Sequence, residues 1–239
     1  NDRTDVFPAN SNTPNMITVA ASGSSDAKPQ WSNYGKAMVH LAAPGEGIMS
    51  TLPGNKYGEL SGTSMATPLV SGLVGFLKSQ DASLTGAQIR ALLQTTGARV
   101  TIETACNCRV DAFAAVDRLL NKKQWLVPTA ATLAVNETAV ISLMNGVEPI
   151  EYVSSNPAFV TVDDAGVVTA VANGVATITA TDAAGNSVTS LDFNVGAASS
   201  PGNPGNPGNP GNPGDCPLGD PALCQIACGI MPDLPFCAM

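Results

Sequence analysis

Residues 62–68 read Gly62-Thr63-Ser64-Met65-Ala66-Thr67-Pro68, and residues 69–77 that follow are almost all apolar or small. The glycine predicts a turn, and the apolar run predicts a helix that is buried on nearly every side. Backbone N–H groups at the start of a helix have no partner within it and favour negative charge. Ser64 would therefore carry a hydroxyl nucleophile beside its own N–H, which supplies half of an oxyanion hole. The simpler interpretation, favoured for an isolated Ser-x-x-Thr-Pro, makes Ser64 only a helix N-cap.

The chain contains a single histidine, His40. A serine hydroxyl is a weak nucleophile at neutral pH unless a neighbouring base takes its proton. Any mechanism that needs a histidine base must therefore use His40 or take a histidine from outside this chain.

The composition excludes several classes of protein. The chain has 239 residues, 44% of them hydrophobic, and a formal net charge of −8 from 11 basic and 19 acidic residues. A basic footprint for nucleic acid is absent, so we expect no nucleic-acid partner. No uninterrupted apolar run approaches the ~18 residues that a membrane-spanning helix needs, so we expect no membrane span. The first residue is Asn1, which we interpret as the start of a processed product or a fragment.

Short apolar strands alternate with helical patterns in residues 1–125. The runs 16–21 and 38–43 are bounded by turn residues and predict buried strands. Thr85 and Gln88 form a capping box before an apolar helical stretch, and Asp111 is placed to cap a last helix. This alternation predicts an α/β layer structure.

The rest of the chain divides into three segments. Residues 129–196 are rich in Val, Thr and Ala, often in alternation, with recurring turn signals, and predict a small all-β sandwich. Residues 197–214 are a Pro-Gly-Asn repeat that predicts a semi-extended linker. Residues 215–239 form a short cysteine-rich tail, too small for a hydrophobic core of its own.

Six cysteines favour disulfides and an oxidising compartment. They are Cys106, Cys108, Cys216, Cys224, Cys228 and Cys237. Zinc is the alternative for the four in the tail, although their x₇, x₃ and x₈ spacings are unlike the usual C-x₂-C pairs. Because only one residue separates Cys106 from Cys108, we expect each of these two to bond to a distant partner.

The 62–68 segment resembles the nucleophile motif of subtilisin-like serine peptidases, the subtilase family, at all seven positions. Further similarities follow in family order: Phe-Pro-Ala at 7–9, Asn-Met-Ile-Thr-Val-Ala-Ala at 15–21, Trp-Ser-Asn-Tyr-Gly at 31–35 and Leu-Ala-Ala-Pro-Gly at 41–45. The resemblance implies that residues 1–125 are the C-terminal part of a subtilisin-like parallel-sheet domain. It makes Ser64 the acyl-forming nucleophile of a secreted serine endopeptidase acting on protein or peptide substrates. It also places Gly62 and Thr63, with the loop 22–30, at the substrate cleft.

The resemblance also shows what this chain lacks. The family's catalytic aspartate, catalytic histidine and oxyanion-hole asparagine precede the serine, in Asp-Ser/Thr-Gly, His-Gly-Thr and Ala-Gly-Asn motifs that do not occur here. We expect them upstream of Asn1 and expect the 239-residue chain alone to be inactive. His40 stands where the family more often has an acidic residue, so we interpret it as structural. Leu69 replaces a family histidine that is not part of the triad.

The family allows structural calcium, and no cofactor is implied for catalysis. Asp2, Asp5 and Asp26 are calcium candidates by residue type alone, without a recognisable binding loop. We predict no metal ligands.

Residues 129–196 resemble the bacterial immunoglobulin-like domains of group 2, on the stretches Ser-Ser-Asn-Pro at 154–157, Gly-Val-Val-Thr-Ala at 166–170 and Ala-Thr-Ile-Thr-Ala at 176–180. Such a module implies a spacer, or cell-surface attachment through either this domain or the tail. The alternative function is a non-catalytic binding or spacer protein built on a degenerate subtilase fold. The intact serine motif favours the enzyme.

Overall fold

The computed structural model describes residues 2, 6–11 and 13–196. The predicted linker, the cysteine-rich tail with its four cysteines, and Asp5 lie outside the described residues. None of the described helices is long and apolar enough to cross a membrane.

The first part of the chain is an α/β layer, as predicted. Its elements in chain order are the 3₁₀ helix Ala9–Ser11, β1 (Val19–Ser22), β2 (Leu41–Pro44), β3 (Ile48–Leu52), β4 (Lys56–Leu60), α1 (Thr63–Gln80), α2 (Gly86–Thr96), β5 (Ala98–Arg99), β6 (Cys108–Arg109) and α3 (Ala112–Leu120). One sheet has the order β1-β2-β6-β5, in which β1, β2 and β6 are parallel and β5 is antiparallel. Strands β3 and β4 form a separate hairpin that leads into α1.

Helix α1 packs on β1 and β2, and α3 packs against α1 and α2. Buried side chains of all three helices share one core with this sheet. The core between them contains Leu41 of β2, Leu77 of α1 and Ile89, Leu92 and Leu93 of α2, all almost fully buried. The predicted caps are confirmed. Thr85 accepts from the Gln88 N–H and Gln88 accepts from the Thr85 N–H, while Asp111 accepts from the Ala114 N–H at the start of α3.

The prediction that α1 is buried on nearly every side is wrong for the described residues. Only Ala66, Val70 and Leu77 are fully buried, whereas 45% of Leu69 and 50% of Phe76 is exposed. The sheet covers one side of α1, and no described element covers the other. Helix α3 likewise leaves 82% of Phe113 exposed. The first part therefore presents apolar helix faces to solvent.

The two cysteines of the first part are bonded to each other, so the expectation of distant partners was wrong. Cys106 and Cys108 form a disulfide with their Cα atoms 5.1 Å apart. Asn107 between them has a left-handed backbone, with φ of 46°. This turn brings the two Cα atoms within the range that a disulfide spans, although the cysteines are separated by a single residue.

The second part is all β, as predicted. Its strands are β7 (Trp125–Val127), β8 (Ala131–Leu133), β9 (Thr138–Val140), β10 (Ser142–Met144), β11 (Glu151–Ser154), β12 (Val160–Val162), β13 (Val167–Ala170), β14 (Gly174–Ala176), β15 (Ile178–Thr181), β16 (Ser187–Thr189) and β17 (Phe193–Val195). They form the small sheets β10-β7, β11-β15-β16, β12-β13-β9 and β14-β17-β8. Inward residues of these strands, among them Val168, Ile178 and Phe193, form one core.

Candidate active site

Ser64 lies in the first turn of α1, and its side chain is exposed. Gly62 is the N-cap residue and has no side chain to cap the helix, so the interpretation of Ser64 as a mere N-cap is wrong. The Gly62 N–H donates to the carbonyl oxygen of Gly45, just after β2, across 2.8 Å. The Gly45 N–H donates in turn to the Ser22 carbonyl at the end of β1 across 3.0 Å. The serine therefore stands at the carboxyl edge of the parallel sheet, where ligands bind in open α/β sheets.

The backbone around Ser64 suits the stabilisation of an anion. The Met65 N–H donates to the Gly62 carbonyl, but the N–H groups of Thr63 and Ser64 have no acceptor among the described residues. Free N–H groups at a helix start carry partial positive charge. A negative oxygen formed beside the Ser64 hydroxyl would thus meet the Ser64 N–H, as in an oxyanion hole.

Close packing holds this turn against the sheet. A Cβ on Gly45 would stand 2.8 Å from the Gly62 carbonyl oxygen and 2.7 Å from Cβ of Ala21. Only glycine therefore fits at position 45 without a shift. The Gly47 N–H also donates to Ser61 Oγ across 2.9 Å, which ties the hairpin to the residue before Gly62.

The predicted cleft residues lie next to each other. Gly62 and Thr63, both half-buried, directly precede Ser64, and the hydrogen bond from Gly45 to Ser22 brings the start of the loop 22–30 to the same edge. An ion pair between Asp26 and Arg109, 2.6 Å apart, anchors this loop to β6. Sequence reasoning gave Gly45 no part in the site, although Pro44-Gly45 directly after an apolar run was a signal for a tight approach.

His40 lies at the opposite edge of the sheet. His40 directly precedes β2, whereas Gly45, which accepts the Gly62 N–H, directly follows β2. The length of this strand, about 13 Å, therefore separates His40 from the turn that carries Ser64. The side chain is buried, and Nδ1 accepts the Thr18 N–H across 2.8 Å. Burial, with the Arg90 guanidinium adding to it, lowers the pKa of His40 to about 3. His40 is thus a neutral structural residue and no base for Ser64.

Two of the three calcium candidates, Asp2 and Asp26, lie among the described residues and have protein partners. Asp2 accepts the N–H groups of Ala37 and Met38, and Asp26 pairs with Arg109. The described part of the chain holds no group of three His, Cys, Asp or Glu side chains that could bind a metal ion.

The sequence model of the subtilase family matches residues 1–125. The chain belongs to the subtilase family. The model of the bacterial Ig-like domain (group 2) matches residues 126–193 directly after it. Both families are therefore those that the motifs indicated.

Curated subtilases are similar to the first part of the chain. Thermitase of Thermoactinomyces vulgaris is 43% identical over 104 residues, 43% of this chain and 36% of its own length. Subtilisin-like protease 12 of Arthroderma gypseum is 50% identical over 68 residues, 28% of this chain and 17% of its length. Subtilisin E of Bacillus subtilis is 42% identical over 83 residues, 35% of this chain and 22% of its length. The chain thus spans about a third or less of the length of each of these relatives.

Proposed function

We propose that this chain is the C-terminal part of a serine endopeptidase in which Ser64 attacks the carbonyl carbon of a peptide bond. The Ser64 hydroxyl forms an acyl-enzyme, the amine leaves, and water then hydrolyses the ester. The Ser64 N–H holds the negative oxygen of the intermediate. The observation that carries this proposal is an exposed serine beside unpaired N–H groups in the first turn of α1, at the carboxyl edge of the parallel sheet.

The catalytic histidine, aspartate and oxyanion-hole asparagine are proposed to lie upstream of Asn1. Two observations support this placement. His40, the single histidine of the chain, is buried at the other edge of the sheet. The exposed side of α1, with Leu69 and Phe76, is an apolar surface that further residues of a peptidase domain would cover. The 239-residue chain alone is therefore proposed to be inactive.

A fluorophosphonate probe tests this assignment, because it reacts with a serine only when a base activates it. The protein extended by the residues encoded upstream of Asn1 should be labelled at Ser64. The isolated 239-residue chain should not react. Labelling should be lost in Ser64→Ala and kept in Ser71→Ala, a matched change of an exposed serine on the same helix.

Two results would overturn the assignment. One is an extended protein that folds but is not labelled. The other is labelling that survives Ser64→Ala. The first outcome would leave the non-catalytic binding protein as the better description, whereas the second would place the activated nucleophile at a serine other than Ser64.

The protein is further proposed to be secreted, with the immunoglobulin-like domain or the tail available for cell-surface attachment. The disulfide between Cys106 and Cys108 supports an oxidising compartment. Mass spectrometry after alkylation, on protein from its native source, should find these two cysteines unalkylated in the extracellular fraction. Free thiols at both positions would contradict secretion.

A further inference from the structure

One strand joins the hydrophobic cores of both parts of the chain. Trp125 and Leu126 are neighbours in β7, and both are almost fully buried. Trp125 belongs to the core of the subtilase part, whereas Leu126 belongs to the core of the immunoglobulin-like part. Successive side chains of a strand point to opposite faces. The subtilase part therefore packs on the face of β7 that carries Trp125, and the immunoglobulin-like part packs on the face that carries Leu126. No flexible segment separates the two at this point.

Side chains of the immunoglobulin-like part extend the core of the subtilase part. Met144 of β10 and Leu191, just before β17, pack against it. Met144 is paired with Trp125 across the β7-β10 ladder, and Gln88 Nε2 of α2 lies 3.5 Å from its sulfur. The immunoglobulin-like part therefore covers apolar surface that α2 would otherwise expose.

Polar contacts hold the same junction. Thr95 of α2 and Thr129 join their hydroxyls across 3.2 Å. Gln124 Nε2 donates to the buried carboxylate of Asp182 across 2.6 Å. These contacts tie both α2 and the residue before β7 to the immunoglobulin-like part.

We propose that the immunoglobulin-like domain serves as an intramolecular stabilising partner of the subtilase part, and that the two unfold as one cooperative unit. A shared strand, a completed core and a buried polar contact act together, so opening either part removes contacts from the other. A spacer domain that moves independently of the peptidase would lack such contacts where it joins the peptidase domain.

Native-state hydrogen exchange, read by mass spectrometry on the full chain, tests the coupling. Val168→Ala truncates a fully buried side chain in the immunoglobulin-like core, far along the chain from α2. Amides of β12–β13 should then exchange about tenfold faster or more. Coupled parts require the amides of α2 to accelerate by the same factor. The exchange measurement is independent of any role of Ser64.

Val153→Ala is the matched control. This valine of β11 is 53% exposed, so its truncation should leave exchange unchanged in both parts. Ile178→Val is a milder change in the same core, and it decides the question if Val168→Ala does not fold. Faster exchange confined to the immunoglobulin-like strands, with α2 unchanged, would show that the parts are independent and the proposal wrong.

Discussion

Gly62 donates its backbone N–H to the carbonyl oxygen of Gly45 across 2.8 Å, and this bond anchors the N-cap residue of the helix that carries Ser64. The contact joins the end of β2 to the start of α1. It needs a residue without a Cβ at position 45, because that atom would stand 2.8 Å from the Gly62 carbonyl oxygen. The position of Ser64, the candidate nucleophile, thus depends on Gly45, although the hairpin β3–β4 separates the two residues in the chain.

Gly45→Ala should displace the turn that holds Ser64. The new Cβ must push away Gly62 or Ala21, and overpacking of this kind costs about 1–3 kcal/mol of stability. In the extended protein we expect fluorophosphonate labelling at Ser64 to slow by at least about tenfold, since small misplacements are costly in catalysis. A variant that labels at the unchanged rate would show that the contact does not position the serine.

Gly72→Ala should have opposite effects in the short and the extended protein. Apart from its chain neighbours and the backbone of α1 itself, no atom lies within 4 Å of a Cβ at Gly72, on the exposed side of α1. In the 239-residue chain, Gly72→Ala should raise the free energy of unfolding by about 1 kcal/mol, because alanine has a higher helix propensity than glycine. In the extended protein the same change should lower the free energy of unfolding, because the added methyl group would collide with the upstream residues that are proposed to pack on this side of α1. Urea unfolding of both lengths measures the difference, and equal stabilisation would contradict the proposed cover.

His40 should make the protein less stable in mild acid. The unfolded chain binds a proton at His40 below about pH 6.5, whereas the folded chain does not until about pH 3. The unfolded state therefore holds more protons in this window, and stability is lost as the pH falls through it, by up to about 1.4 kcal/mol per pH unit.

His40→Asn should remove this dependence. The asparagine oxygen can still accept the Thr18 N–H, and the side chain does not titrate. Urea midpoints between pH 7.5 and 5 should fall with pH in the parent chain and stay flatter in the variant. Equal slopes in the two proteins would mean that His40 is not held neutral by the fold.

The ionised Asp182 carboxylate should stabilise the folded protein as the pH falls, until the pH becomes strongly acidic. Burial raises its pKa, but hydrogen bonds from the Asn186 backbone and side chain, the Val147 N–H and the Gln124 amide outweigh burial and lower the pKa to about 2. Since the unfolded carboxyl binds a proton below about pH 3.9, the stabilisation is complete above that pH and is lost as the pH falls toward 2.

Asp182→Asn tests this contribution. The N–H₂ group of the asparagine would face N–H groups that now donate hydrogen bonds to the Asp182 carboxylate, so donor would meet donor. The variant should therefore have a lower free energy of unfolding at neutral pH. Its stability should also change less with pH between pH 4 and 2, because the asparagine does not titrate. Acid unfolding followed by circular dichroism measures both effects. Asp164→Asn, an exposed change in another turn, is the control and should behave as the parent chain does. An Asp182 variant that matches the control would refute the role of the carboxylate.

Local patterns predicted much of the fold. The capping box of Thr85 and Gln88 and the Asp111 cap depend on residues three apart, so the sequence alone specifies them. The alternating pattern of residues 129–196 predicted an all-β part for the same reason, because the two faces of a strand differ within a few residues. The burial of the helix faces could not be predicted in this way. An apolar residue such as Phe76 satisfies a helical pattern whether or not another layer covers it.

The sequence by itself determined the family, the identity of the candidate nucleophile and its place at the start of a helix, because a short motif carries all three. Only the tertiary structure decided that Cys106 bonds to Cys108, that Gly45 supports the turn of Ser64, and that Trp125 and Leu126 enter different cores. Each of these facts depends on backbone direction or on contacts between residues distant in the chain. Such contacts leave no periodic signal, since close packing acts between elements that the folded chain brings together.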